Sequence, residues 1–224
     1  MLIAVYVKEM ASTGVGRNGS MLQLRQSVPV ANGLLEHHIV WHCALLASSE
    51  HASLLEQEDD HRLRGIVVLP RGGAPCHIDY EVIADRDWLP RVCVVAVTLP
   101  GEVRRIELTS DPVGRSDLDG RAARFLDGCG DIDLGWTPAT NTIPIRRLGL
   151  EIGETASTLA AWVRFPELDV VANAQHYTRL APDRWRYRSG DYDFELVTDV
   201  TTGLVLAYGD DLWQPAATEL QAHE

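Results

Sequence analysis

Two prolines, Pro138 and Pro144, constrain the fold of this chain more than any other feature of its sequence. Each proline fixes its own φ angle and disfavours the helical region for the residue before it. Thr140 and Asn141 lie between them and can hydrogen-bond to nearby backbone in a turn. We therefore expect residues 135–144 to form an ordered loop, and neither a helix nor a regular central strand.

Acidic and basic side chains flank this loop. Asp131 and Asp133 are two residues apart, so both carboxylates leave the same face of an extended segment. Alternation over residues 145–152 predicts a strand with Arg146 and Arg147 on opposite faces, Arg146 sharing the leucine face. A guanidinium among apolar side chains needs an anionic partner to offset its desolvation. We therefore expect Arg146 to pair with Asp131 or Asp133.

From Ile39 onward the sequence is typical of β-structure. Short runs of Val, Ile, Leu and aromatic residues are separated by Gly, Pro, Asp and Ser. Residues 76–84 alternate between apolar and polar side chains, which predicts a strand with one wet face. Short connections favour an antiparallel meander, and residues 49–60 could form either a short helix or a hairpin. The predicted strands lie near residues 39–47, 63–69, 76–84, 91–98, 102–109, 120–126, 145–152, 156–164, 168–180, 184–188, 192–199 and 203–208.

A long ordered set of motifs makes the chain resemble a known family. The set comprises D-I-D-L, W-T-P-A-T-N-T-I-P-I-R-R-L, A-W-V-R-F-P-E-L, Q-H-Y, W-R-Y-R-S and D-V-T-T-G-L-V-L-A-Y. Over roughly residues 41–213 it resembles the glycolipid-binding domain family of bacteria. The resemblance implies a mainly β fold, an antiparallel and strongly curved sheet forming an open spiral β-roll or half-barrel. It also implies, from a shape like that of periplasmic lipoprotein carriers, the binding of a glycolipid.

Length and composition set the domain organisation that we expect. A chain of 224 residues can bury a substantial core in one domain. Residues 1–37 lie outside the family resemblance and contain several glycines, so we expect a loose N-terminal extension or a misassigned translation start, and residues 1–7 could alternatively add an edge strand. The β-roll domain would cover residues 38–216 and a C-terminal tail residues 217–224.

Charge and cysteine content narrow the function classes. The net charge of −12, with no basic stripe, disfavours nucleic acid as a partner. The four cysteines lack C-x-x-C spacing, so we expect free thiols, no zinc site and no cofactor. No apolar run reaches membrane-spanning length, and the N-terminus lacks the basic region of a signal peptide. We therefore expect a cytoplasmic protein, and nothing in the sequence fixes its oligomeric state.

A second group of candidate residues lies on consecutive strands in the last third of the chain. Alternation predicts that its members line one sheet face, either as ordinary core or as the wall of a ligand pocket. Gln175 and Tyr177 are the stronger pocket candidates, because a buried amide and a buried phenol need polar partners. The group comprises Asn173, Gln175, Tyr177, Arg179, Trp185, Tyr187, Tyr192 and Phe194.

These features favour a non-enzymatic binding or carrier protein for an amphipathic lipid held in the concavity of a curved sheet. One alternative is a hydrolase or transferase that acts on a sugar or phosphate through Asp131 and Asp133, although G-x-S-x-G, P-loop and H-E-x-x-H motifs are absent. Another is an interaction module that binds a peptide by strand addition. The D-x-D and arginine cluster could also be purely structural. The candidate ligand-binding residues are Asp131, Asp133, Thr137, Asn141, Arg146, Arg147, Gln175, Tyr177 and Tyr187.

Overall fold

The computed structural model describes residues 25–30, 34–43, 45–209 and 212–216. Within these ranges the chain is mainly β, with strands arranged in a ten-stranded and a six-stranded sheet. The ten-stranded sheet, called the large sheet below, follows chain order from its first to its ninth strand and curls strongly into a half-barrel. The mainly β, strongly curved fold expected from the sequence is therefore confirmed.

The large sheet is antiparallel throughout, and Gln214–Pro215 adds to it beside Leu35–Cys43. Its strands are β1 (Arg25–Pro29), β2 (Leu35–Cys43), β3 (Ser48–Glu56), β4 (Asp60–Arg71), β5 (Ala74–Asp85), β6 (Pro90–Leu99), β7 (Glu102–Ser110), β8 (Ser116–Leu118), β9 (Arg121–Ala122) and β16 (Gln214–Pro215).

The six-stranded sheet, called the small sheet, is antiparallel except where Asp131–Leu134 pairs in parallel with Thr155–Arg164. Its strands are β10 (Asp131–Leu134), β11 (Thr155–Arg164), β12 (Asp169–Ala181), β13 (Arg184–Ser189), β14 (Tyr192–Thr198) and β15 (Val205–Tyr208). Between β10 and β11 lie a 3-10 turn at Ala139–Asn141 and one α-helix, α1 (Thr142–Leu148).

Alternating side chains explain how the large sheet buries one face. In β5, Cys76, Ile78, Tyr80 and Val82 point inward, whereas the residues between them are partly or fully exposed, as predicted. The inward faces of the large sheet pack against one face of the small sheet in a continuous hydrophobic core. The concavity in which we expected a lipid is thus occupied by protein side chains, since the two apolar faces bury each other.

The N-terminal part of the β-roll begins earlier than the sequence predicted. Arg25–Pro29 pairs with β2 as an antiparallel edge strand, within the region that we expected to be loose. The predicted edge strand at residues 1–7 lies outside the described residues. Residues 49–60 fall in a hairpin of β3 and β4, so the hairpin alternative is the correct one.

The strand predicted at residues 145–152 is wrong, and so is the exclusion of helix before Pro144. Pro144 lies in the first turn of α1, where a missing backbone N–H costs no intrahelical hydrogen bond. Ile145 and Leu148 are three residues apart, so they share a helix face that packs against the small sheet. Gly149, at φ 55°, ends the helix in the left-handed conformation that glycine adopts easily.

Candidate functional site

The candidate site is a cleft of about 210 Å³ between the small sheet and the loop that contains Pro138. Aromatic rings form much of its wall, and polar side chains lie among them. The lining residues are Asp133, Leu134, Gly135, Thr137, Pro138, Asn141, Trp162, Asn173, Tyr187, Ser189, Gly190, Tyr192, Phe194, Tyr208, Leu212 and Trp213.

Strand register brings the aromatic residues of the cleft together. Tyr187 and Phe194 are directly opposite each other on β13 and β14, so their side chains leave the same face of the small sheet. The Phe194 ring lies 5.1 Å from that of Tyr208, and the Tyr187 ring lies 6.2 Å from the same tyrosine. The prediction that these side chains share one face of the sheet is confirmed. Part of this face lines the cleft, and part of it belongs to the core.

Asp133 brings a carboxylate to the cleft. Gln175 Nε2 donates a hydrogen bond to Asp133 Oδ2 at 2.6 Å, and the Tyr187 hydroxyl lies 3.5 Å from the same oxygen. Burial raises the pKa of Asp133 to about 6; the hydrogen bonds oppose this shift and the nearby Asp131 adds to it. The carboxyl group therefore changes charge just below neutral pH.

Gln175 and Tyr177 lie beneath the cleft. The buried Tyr177 hydroxyl donates to Asn141 Oδ1 at 2.8 Å and lies 3.3 Å from Gln175 Oε1. Asn141 Nδ2 donates in turn to the carbonyl oxygen of Pro138 at 3.2 Å. This chain of hydrogen bonds connects β12 to the proline loop and fixes the loop above the small sheet. The two residues thus have the polar partners expected of them.

The prediction that Arg146 pairs with Asp131 or Asp133 is wrong. Arg147, not Arg146, meets Asp131, with Nη2 2.5 Å from Oδ2 and Nε 3.1 Å from Oδ1. Thr158 also donates to Asp131 at 2.5 Å. Successive residues of a helix point about 100° apart, so α1 turns Arg147 toward β10 and Arg146 away from it.

Arg146 binds the large sheet instead. Its Nη2 donates to Glu56 Oε2 at 2.7 Å, its Nη1 donates to the Thr201 carbonyl at 2.8 Å, and its guanidinium stacks 4.8 Å above the Trp88 ring. Neither arginine lines the cleft, and neither does Asp131. Of the nine sequence candidates, those in the cleft wall are Asp133, Thr137, Asn141 and Tyr187.

One buried acid behind the cleft was not among the sequence candidates. Glu50 Oε1 accepts hydrogen bonds from the Tyr80 hydroxyl at 2.5 Å and the Thr137 hydroxyl at 2.7 Å. Burial raises the pKa of Glu50 to about 7, although both hydrogen bonds act against this shift. The sequence feature that could have identified Glu50 is the alternation of β3, which places Glu50 on the same inward face as Ala52 and Leu54.

The part of the chain that the structure describes holds no group of three or more His, Cys, Asp or Glu side chains arranged to bind a metal ion. The four cysteines are free thiols, as predicted. Across the same described ranges, no helix is long and apolar enough to span a membrane.

Comparison with known proteins identifies the family. The sequence profile of a family described as "Putative glycolipid-binding" matches residues 38–214. The chain belongs to this family. The chain resembles the crystal structure of a DUF1089 family protein from Pseudomonas aeruginosa, with a TM-score of 0.65 and 35% sequence identity. The match covers 75% of this chain and 91% of that one. A search of curated proteins finds no match.

Proposed function

We propose that this family member is a binding protein for an amphipathic lipid, with a glycolipid as its ligand, and that the polar end of the ligand occupies the cleft. The observation that carries the proposal is the composition of the cleft wall, where Tyr187, Phe194 and Tyr208 stand beside Asp133 and Asn173. Rings that offer apolar contact, with a few polar groups that fix orientation, are typical of small-molecule sites.

The size of the cleft limits how much of a lipid it can hold. At about 210 Å³ it is smaller than the roughly 300–1,000 Å³ of sites that enclose a drug-sized ligand. The core between the two sheets is filled by side chains such as Trp41, Leu54 and Ile78. The proposal therefore assigns the headgroup to the cleft and leaves most of the hydrocarbon outside it.

Native mass spectrometry of the protein purified from its own host tests this proposal. We expect a co-purifying lipid on the wild-type protein and much less on Phe194→Ala, because that change removes one aromatic wall of the cleft. Phe125→Ala is the matched control, since Phe125 is 60% exposed and does not line the cleft. A wild-type protein without lipid, or equal lipid on Phe194→Ala and Phe125→Ala, would contradict the proposal.

A second candidate function is hydrolysis or transfer at a sugar or phosphate. It is favoured by Asp133, whose pKa of about 6 suits general acid or base catalysis near neutral pH. The partner carboxylate that this candidate requires is Asp131, but its side chain is 1% exposed and is engaged by Arg147 and Thr158. Turnover of p-nitrophenyl glycosides or p-nitrophenyl phosphate that is lost in Asp133→Asn would support the enzyme.

A further inference from the structure

We infer that the cleft selects an uncharged, hydroxyl-rich headgroup and rejects anionic headgroups, and that Oδ1 of Asp133 is the atom that accepts hydrogen bonds from those hydroxyls. This inference rests on the proposed function, because it specifies which class of amphipathic ligand the same cleft takes.

Two oxygen acceptors in the cleft favour a ligand that donates hydrogen bonds. Both hydrogen-bond contacts of Asp133 reach its Oδ2. Asn173 Nδ2 donates to Ser189 Oγ at 2.8 Å, and the amide oxygen of Asn173 takes no part in this hydrogen bond. Among the residues described by the structure, neither Asp133 Oδ1 nor Asn173 Oδ1 has a protein hydrogen bond. Two acceptors without a protein donor favour a ligand that donates, as hydroxyl groups do and fully ionised phosphate or sulfonate groups do not.

The charge of the cleft disfavours an anionic headgroup. Among the residues that the structure describes, those lining the cleft include an aspartate but no lysine or arginine. The two nearby arginines are held elsewhere, Arg147 by Asp131 and Arg146 by Glu56. An anionic headgroup would therefore meet a like charge in a partly desolvated site without a compensating cation, which is unfavourable. The net charge of −12 adds to this repulsion.

The aromatic wall of the cleft suits a sugar ring. The faces of aromatic rings carry partial negative charge, so they attract the weakly positive C–H groups of a sugar ring. The rings of Tyr187 and Phe194 lie within 6.2 Å of the Tyr208 ring, and Trp162 and Trp213 also line the cleft. A pyranose ring offers C–H groups on its faces and hydroxyl groups around its edge, so it can meet the rings and the free acceptors together.

Three amphiphiles with the same tail isolate the headgroup: octyl β-glucoside, octanesulfonate and the octyl ether of tri(ethylene glycol). Each is titrated into the protein at pH 8, below its micelle concentration, with calorimetry as the readout. Asp133 is ionised at this pH, because its pKa is about 6. We expect the glucoside to bind at least tenfold more tightly than the sulfonate and also more tightly than the ether, whose headgroup has only one hydroxyl.

Asp133→Asn tests the role of the carboxylate while keeping an acceptor for Gln175. We expect the affinity for octyl β-glucoside to fall about tenfold, because hydrogen bonds to a charged group are stronger than those to a neutral one. The affinity for octanesulfonate should rise. Asp193→Asn is the control, since it makes the same charge change on an exposed carboxylate that pairs with Arg186 away from the cleft.

The outcomes separate the inference from the proposed function. If octanesulfonate binds as tightly as the glucoside, or if Asp133→Asn and Asp193→Asn behave alike, the selectivity is refuted while lipid binding stands. If Phe194→Ala carries as much host lipid as Phe125→Ala and none of the three amphiphiles binds, the inference and the proposed function are both refuted. Tight glucoside binding that depends on Asp133 supports both.

Discussion

Replacing Glu50 by glutamine tests whether the carboxyl group behind the proline loop makes the stability of this protein depend on pH. Glu50 is 1% exposed, and its Oε1 accepts from Tyr80 and Thr137. Its other oxygen, Oε2, is buried without a hydrogen-bond partner in the described part of the chain. Glutamine keeps the acceptor and the shape of the side chain but cannot ionise.

The direction of the effect follows from the raised pKa. Burial raises the pKa of Glu50 from its ordinary value of 4.5 to about 7, so the folded protein keeps a proton that the unfolded chain has lost. The stability that this proton contributes is fully present below pH 4.5 and is lost as pH rises through 7. At about 1.4 kcal/mol per pKa unit, the loss is about 3 kcal/mol.

Urea denaturation followed by tryptophan fluorescence at pH 4.5, 6 and 8 measures this loss. We expect the free energy of unfolding of the wild type, relative to Glu50→Gln, to fall by about 3 kcal/mol across the range. Any cost of burying the glutamine amide is the same at each pH and does not affect the slope. Glu58→Gln removes an exposed carboxylate from the β3–β4 turn and serves as the control. A difference between the wild type and Glu50→Gln that does not change with pH would refute the reasoning.

Two further substitutions test how Asp131 and Tyr80 are buried. Arg147→Met should lower the free energy of unfolding by roughly 3–5 kcal/mol, because it leaves the buried Asp131 carboxylate unpaired. Adding Asp131→Asn should recover much of this loss, as measured by urea denaturation. A double variant that is no more stable than Arg147→Met would contradict this expectation. Gly65→Ala should cost about 1–3 kcal/mol, since its Cβ would lie 2.4 Å from the Tyr80 ring. Because the Tyr80 hydroxyl is held by Glu50, the ring cannot easily move aside. Thermal denaturation measures the cost, which should shrink in a Tyr80→Leu background.

The sequence alone determined the β class, the position of most strands and the common face of the two aspartates. These features depend on a period of two along each strand, which the alternation of side chains in segments such as β5 records directly. It also placed Asp133, Thr137, Asn141 and Tyr187 among the candidate residues, since polar and aromatic side chains on one strand face or beside a proline turn are visible in the chain itself.

Tertiary structure decided the conformation of residues 145–148 and the partners of the charged groups. The run Ile-Arg-Arg-Leu fits a strand or a helical turn, and the contact of Ile145 and Leu148 with the small sheet selects the helix. Because the segment is helical, Arg147 and not Arg146 points toward Asp131. Glu50 and Thr137 meet across 87 positions of sequence. A local pattern cannot specify such a contact, because it depends on how distant segments pack against each other.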